Sequence, residues 1–262
     1  MPQHNMPHLY TPLVGHPSIL TRTSVAWPPE PPYEDSSVLV LSSRPTNDTF
    51  PSLLYVDLRL SLPVSRESTV NLAFAGFRRT LQLDPHLRYR WDRAIDSTDS
   101  DTIDEGDWEY LTDPDTGKEI EVETGIGSHP TTGRLSKYQE VWSEPAVPSK
   151  SSYVFLTLSA DPEISRGFIA VLGPHAVALS HEDGLPFQSV RMYRPSVDAT
   201  WSLIHKFPNL QSIIAFSHSL ETYLSTFLDI FNKREGTNKL WKRGDVVEIS
   251  GRAWFVFDAG IH

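Results

Sequence analysis

The chain has 262 residues, a net charge of −10, 39% hydrophobic and 11% aromatic residues, and no cysteine. That length suits one large β domain or two small ones, and the composition is that of a folded protein. The lack of thiols excludes disulfides, thiolate nucleophiles, iron–sulfur clusters and thiolate zinc sites, and the acidic balance argues against nucleic acid or a membrane surface as partner, since both need Lys and Arg to meet phosphates.

Residues 1–23 carry Pro2, Pro7, Pro12 and Pro17 and no unbroken apolar run, so they are expected to form a flexible N-terminal arm. Neither a signal peptide nor a membrane span is expected, and the location expected is cytoplasmic. Ser37–Ser42 is the first short β-branched and Leu run. In Leu54–Leu60 the alternation of Leu54, Val56, Leu58 and Leu60 with Tyr55, Asp57 and Arg59 predicts a strand with one buried and one polar face. Val70–Phe77 and Leu87–Arg93 continue the pattern, with Tyr89 and Trp91 opposite Arg88, Arg90 and Asp92.

Between Asp92 and Glu123 acidic residues outnumber basic ones, and Pro114-Asp115-Thr116-Gly117 reads as a turn, so the stretch is expected to be mostly loop. A second strand set follows at Tyr153–Ser159, Gly167–Leu172, Ala176–Ser180 and Phe187–Tyr193. It ends in a hairpin of Asp245–Ile249 and Ala253–Asp258. Leu220, Tyr223, Leu224, Phe227, Leu228 and Phe231 recur at three- and four-residue spacing, which predicts an amphipathic helix over residues 219–232, capped by Ser219 and packed on a sheet. Short strands with one helix point to antiparallel barrels or a sandwich.

Ordered segments across most of the chain from Trp27 onward resemble the fungal Hri family. They include Trp27-Pro28-Pro29-Glu30-Pro31, Tyr55-Val56-Asp57-Leu58-Arg59, Ala73-Phe74-Ala75-Gly76, Asp104-Glu105-Gly106-Asp107, Pro130–Arg134, Tyr138-Gln139-Glu140-Val141-Trp142 and the final Gly251–Phe257 hairpin. The chain departs from the family pattern at His129 and at Ser143-Glu144. The resemblance implies two lipocalin-like antiparallel β-barrels, one over residues 24–145 with the acidic loop and one over 146–262 with the helix. It also implies a protein that interacts with a casein-kinase-type protein kinase, and it supplies no reaction.

The carboxylates Asp104, Glu105, Asp107 and Glu109 could bind a divalent cation or supply an acid and base pair, but they read better as a solvated loop with Gly106 aiming Asp107 and Trp108 inward. His175, His181, His205 and His218 lack metal-ligand spacing, and no HExxH, GxSxG, phosphate loop or dinucleotide fingerprint occurs, so no metal and no cofactor are expected. If extended, the segment after Gly133 sets Tyr138, Glu140 and Trp142 on one side of a strand. They could line a pocket, or Trp142 could plug a barrel end while Glu140 pairs with Arg134.

Two functional expectations follow. The first is a cofactor-independent biosynthetic enzyme of fungal specialised metabolism, holding an apolar terpenoid- or polyketide-like substrate for intramolecular cyclisation, such as a Diels–Alder (4+2) cycloaddition, or for isomerisation. Its catalytic residues would be Tyr138, Glu140 and Arg134, and its substrate-binding residues Trp142, Trp108, Trp91 and Phe74. The second is a non-catalytic interaction protein whose acidic segment docks a protein kinase or another basic partner.

Overall fold

The computed structural model describes residues 12–98, 103–114, 116–208, 219–235, 237 and 240–262. Eight strands form a closed antiparallel barrel: β1 (Ser18–Ala26), β2 (Ser36–Ser42), β3 (Ser52–Ser61), β4 (Val70–Gln82), β5 (Leu87–Asp96), β6 (Asp104–Thr112), β7 (Glu119–Ser128) and β8 (Leu135–Ser143). Each strand pairs with its chain neighbours, and β8 returns to β1 with Trp142 opposite Arg22 and Glu140 opposite Val25. This is the up-and-down closure of a lipocalin-like barrel, whose eight strands enclose a space that side chains can fill.

Two expectations change here. The barrel begins at Ser18, inside the stretch read as a loose arm, because Ile19 and Leu20 are buried on opposite faces of β1. Residues 1–11 lie outside the described residues. The acidic stretch read as loop contains β6 and the first half of β7, because its carboxylates find arginine partners on both sides of the barrel wall.

The second half is built from β9 (Ser152–Thr157), β10 (Gly167–Leu172), β11 (His175–Ser180), β12 (Gln188–Tyr193), β13 (Ser202–Phe207), α1 (Leu220–Arg234), β14 (Val246–Ile249) and β15 (Arg252–Ile261). Its strands make one seven-stranded sheet in the order β13-β12-β11-β10-β9-β15-β14, where a second closed barrel was expected. Both faces of this sheet are already covered, which leaves no interior to close around. On one face Phe155, Phe168, Leu172 and Phe257 pack against Leu54, Val56, Leu58 and Phe77 from the outside of β3 and β4. On the other, α1 lays Leu224, Phe227, Leu228 and Phe231 on Val154, Ile169 and Val256, with Trp241 and Trp254 beside them.

The helix starts where its spacing predicted, with the Ser219 side chain accepting from the Thr222 backbone N–H, and it buries the six residues of the predicted stripe. Among the described residues no helix is long and apolar enough to cross a membrane. The molecule is thus three layers, barrel, sheet and helix, and β3 serves two of them by turning its Leu-Val face to the sheet and its Tyr-Asp-Arg face into the barrel.

Candidate functional site

Strand β8 does what its period-two pattern predicted, and Tyr138, Glu140 and Trp142 all point into the barrel. Trp142 stacks on Trp108 of β6, with ring centroids 6.1 Å apart at 24°. Trp108 in turn meets Trp91 at 6.1 Å and the edge of Tyr89 at 5.7 Å, and Phe74 of β4 completes the cluster. Six of the seven anticipated site residues therefore share one interior. The seventh, Arg134, sits exposed on the turn before β8 and makes no ion pair within 4 Å among the described residues, and Glu140 pairs with other arginines, so the expected Arg134–Glu140 contact is not made. A turn residue carries its side chain beyond the barrel rim, four residues short of the first inward position of the triad.

The true partners of Glu140 are two arginines that sequence reasoning assigned no role. Arg22 of β1 and Arg59 of β3 both donate to Glu140 Oε1, Arg59 at 2.9 Å. Arg59 also grips Asp57 Oδ2 at 2.9 Å, and Arg22 makes a forked contact with Glu34 at 2.8 and 2.9 Å. Burial alone would raise the Glu140 carboxyl, but Arg59 and Arg22 together outweigh it and hold it below its ordinary value. Directly opposite on β7, Glu123 has no ion-pair partner within 4 Å among the described residues and accepts a 2.6 Å hydrogen bond from Tyr138 Oη. Burial, reinforced by the facing Glu140, pushes Glu123 well above the ordinary carboxyl range. Burial also raises the Tyr138 hydroxyl, with Glu123 adding to it, so Tyr138 is a poor acid here.

Further along the wall, Arg93 binds Asp96 at 2.7 Å and Asp104 at 2.5 Å. Trp108 Nε1–H donates to Glu121 Oε2 at 2.7 Å. The alternation of β6 turns Asp104, Gly106 and Trp108 inward. Glu105 and Asp107 point outward, where Arg88 holds them at 3.2 and 2.8 Å, so Gly106 does not aim Asp107 inward as expected. Glycine is required at position 125 instead, because a Cβ there would lie 2.6 Å from Tyr138 Oη.

Among the described residues no group of His, Asp and Glu is arranged to hold a metal ion. His205 is buried with Nε2 3.1 Å from Ser189 Oγ, and burial with the nearby Arg191 pushes both His205 and His175 down to about 4. His181 packs edge-on against Phe187, and His218 lies outside the described residues.

Among the described residues, a cavity of about 30 Å³ lies inside the barrel, lined by Tyr55, Asp57, Arg78, Trp91, Trp108 and Trp142 among others. A larger space of about 620 Å³ lies outside, in a surface groove between the β6–β7 hairpin and the connection from β8 to β9. Tyr110, Leu111, Glu119, Glu121, Glu144 and Val147 line it, with Tyr110 66% and Leu111 46% exposed. Glu119 and Glu144 make no ion pair within 4 Å among the described residues.

The family described as Protein HRI1 matches residues 18–258 of the chain. No curated protein matches. No solved structure matches either.

Proposed function

The chain belongs to the Hri family, and from that premise we propose that it is a non-catalytic interaction protein that docks a basic segment of a protein partner, such as a protein kinase. The groove beside the β6–β7 hairpin carries this reading. It joins exposed apolar surface at Tyr110 and Leu111 to the unpaired carboxylates Glu119 and Glu144. An apolar anchor flanked by Lys or Arg is the complementary chemistry, with charge supplying orientation and rate of encounter.

The barrel gives the cyclase reading less support. A terpenoid- or polyketide-sized ligand needs a cavity on the order of 300 Å³ or more, against about 30 Å³ for the barrel cavity among the described residues. The groups that would assist the reaction are also engaged with one another, Glu140 between Arg22 and Arg59 and Tyr138 on Glu123.

The test is cross-linking in cells followed by purification of the cross-linked partner. Its affinity is then measured for the wild-type chain and for the double variant Glu119→Lys/Glu144→Lys. The expected result is cross-links to the hairpin and at least a tenfold loss in the double variant, a loss that shrinks as salt rises because exposed charges are screened. Cross-links confined to other faces, or an affinity untouched by the charge reversal, would sink the proposal.

A further inference from the structure

The barrel interior carries polar atoms that the internal network leaves unused. Tyr55 Oη, Asp57 Oδ1 and Trp142 Nε1 are buried without a hydrogen-bond partner, and all three residues line the 30 Å³ cavity. Buried polar atoms are nearly always paired, so three around one cavity point to an occupant. The same cavity is lined by Arg78, half-buried, with its guanidinium 4.2 Å from the centroid of Tyr89 and 5.7 Å from that of Trp108. The other lining arginine, Arg59, is neutralised by Asp57 and Glu140, whereas Arg78 has no carboxylate within 4 Å among the described residues.

We infer that the barrel interior binds a small carboxylic acid that also bears a hydroxyl or amino group, with its carboxylate on Arg78 and its donor on Asp57. Each part of that description comes from the wall. One unpaired guanidinium calls for one negative charge, and the Trp142 N–H and Tyr55 O–H are donors suited to carboxylate oxygens. Asp57 Oδ1 is a bare acceptor and calls for a donor on the same molecule. The carboxylates of Asp57 and Asp104 at the cavity wall disfavour a dianion, so phosphate fits poorly. Two waters also fit the volume, but water brings no counter-charge to Arg78. The site is separate from the hairpin groove, and neither proposal depends on the other.

The experiment is a titration of the full chain with glycolate, read by tryptophan emission, since Trp91, Trp108 and Trp142 line the cavity. Acetate and chloride serve as comparison probes, and glycolate soaking of crystals gives the location. A saturable change with glycolate is expected. Acetate should bind at least about tenfold more weakly, because it leaves Asp57 Oδ1 unpaired in a buried site. Arg78→Gln should abolish the response. Tyr55→Phe removes no internal hydrogen bond, so it folds and keeps the test decisive should Arg78→Gln misfold, and a several-fold loss is expected from it. No saturable response, an equal response to acetate or chloride, full glycolate binding by Tyr55→Phe, or two waters and no solute in the soaked cavity would each overturn the inference.

Discussion

Glu123 and Glu140 face each other across β7 and β8, yet their surroundings drive them in opposite directions. Glu140 is the shared anion of Arg22 and Arg59, so Glu140→Gln leaves two buried guanidinium groups short of charge. Breaking a buried pair in this way costs about 3–5 kcal/mol, which denaturant unfolding should read as a large fall in midpoint. With its folded pKa depressed, Glu140 contributes stability that is present above the ordinary carboxyl range and is lost as pH falls through the lowered value. Glu123 has the reverse sign. Its unfolded carboxyl ionises near pH 4.3 while the folded protein keeps the proton, so stability declines as pH rises above that point toward the raised folded value. Glu123→Gln keeps an acceptor for Tyr138 and has nothing to ionise. Its unfolding midpoint should therefore vary less with pH than the wild-type midpoint above about pH 5. Parallel profiles for the two proteins would mean that Glu123 is charged in the fold.

At the level of single elements, α1 offers the plainest case of pattern becoming structure. Leu224 is fully buried between helix and sheet, so Leu224→Ala should cost about 2–5 kcal/mol in transfer and cavity terms. Ser219→Ala, which removes the N-cap, should cost about 1 kcal/mol. Thermal melts of both variants check the order, and a cap loss exceeding the core loss would contradict it. The helix was legible because its stripe faces one neighbour only. Strand β8 was legible for a similar reason, since Tyr138, Glu140 and Trp142 share the inward face. Strand β3 defeated the same reasoning. Its alternation was plain, but Tyr55, Asp57 and Arg59 read only as a polar face opposite a buried one, because nothing local reveals that Leu54, Val56 and Leu58 are needed outside the barrel. The acidic run around β6 and β7 misled for another reason. Asp and Glu are depleted in strands generally, and here they are tolerated because Arg88 on the outer wall and Arg93 on the inner wall, both from β5, supply the countercharges. Those partners are distant from parts of the run in sequence and invisible to periodicity. Arg134 was misplaced because a turn and a strand start are separated by a residue or two, and a side chain's direction depends on which it is.

Across the whole molecule, barrel and sheet are not two independently closed bodies. The outer face of β2 to β4 and the inner face of β9 to β11 form one apolar cluster, in which Leu39, Leu41, Leu54, Val56 and Leu58 meet Phe155, Phe168, Leu172 and Leu179. At its edge Asp258 of β15 is fully buried and binds Arg44, which follows β2, through the backbone N–H at 3.0 Å and the guanidinium at 2.6 Å. A chain cut after residue 145 would expose the outer face of β3 and β4 to water. Fully burying such a Leu, Val or Phe is worth about 1.5–3 kcal/mol each, and a whole domain is stable by only about 5–15 kcal/mol. The expectation is therefore that residues 12–145 do not fold alone, although their strands close a barrel on paper. In the full chain, tryptophan emission and the far-ultraviolet helix signal should trace one coincident unfolding transition. Asp258→Ala should shift both signals together by about 1–3 kcal/mol, because it removes the buried acceptor of Arg44 at the shared boundary while the partly exposed guanidinium can turn to water. Two separated transitions, with the helix melting while the barrel tryptophans stay buried, would show instead that the sheet leaves the barrel intact and that the cluster between them is a contact surface and not a common core.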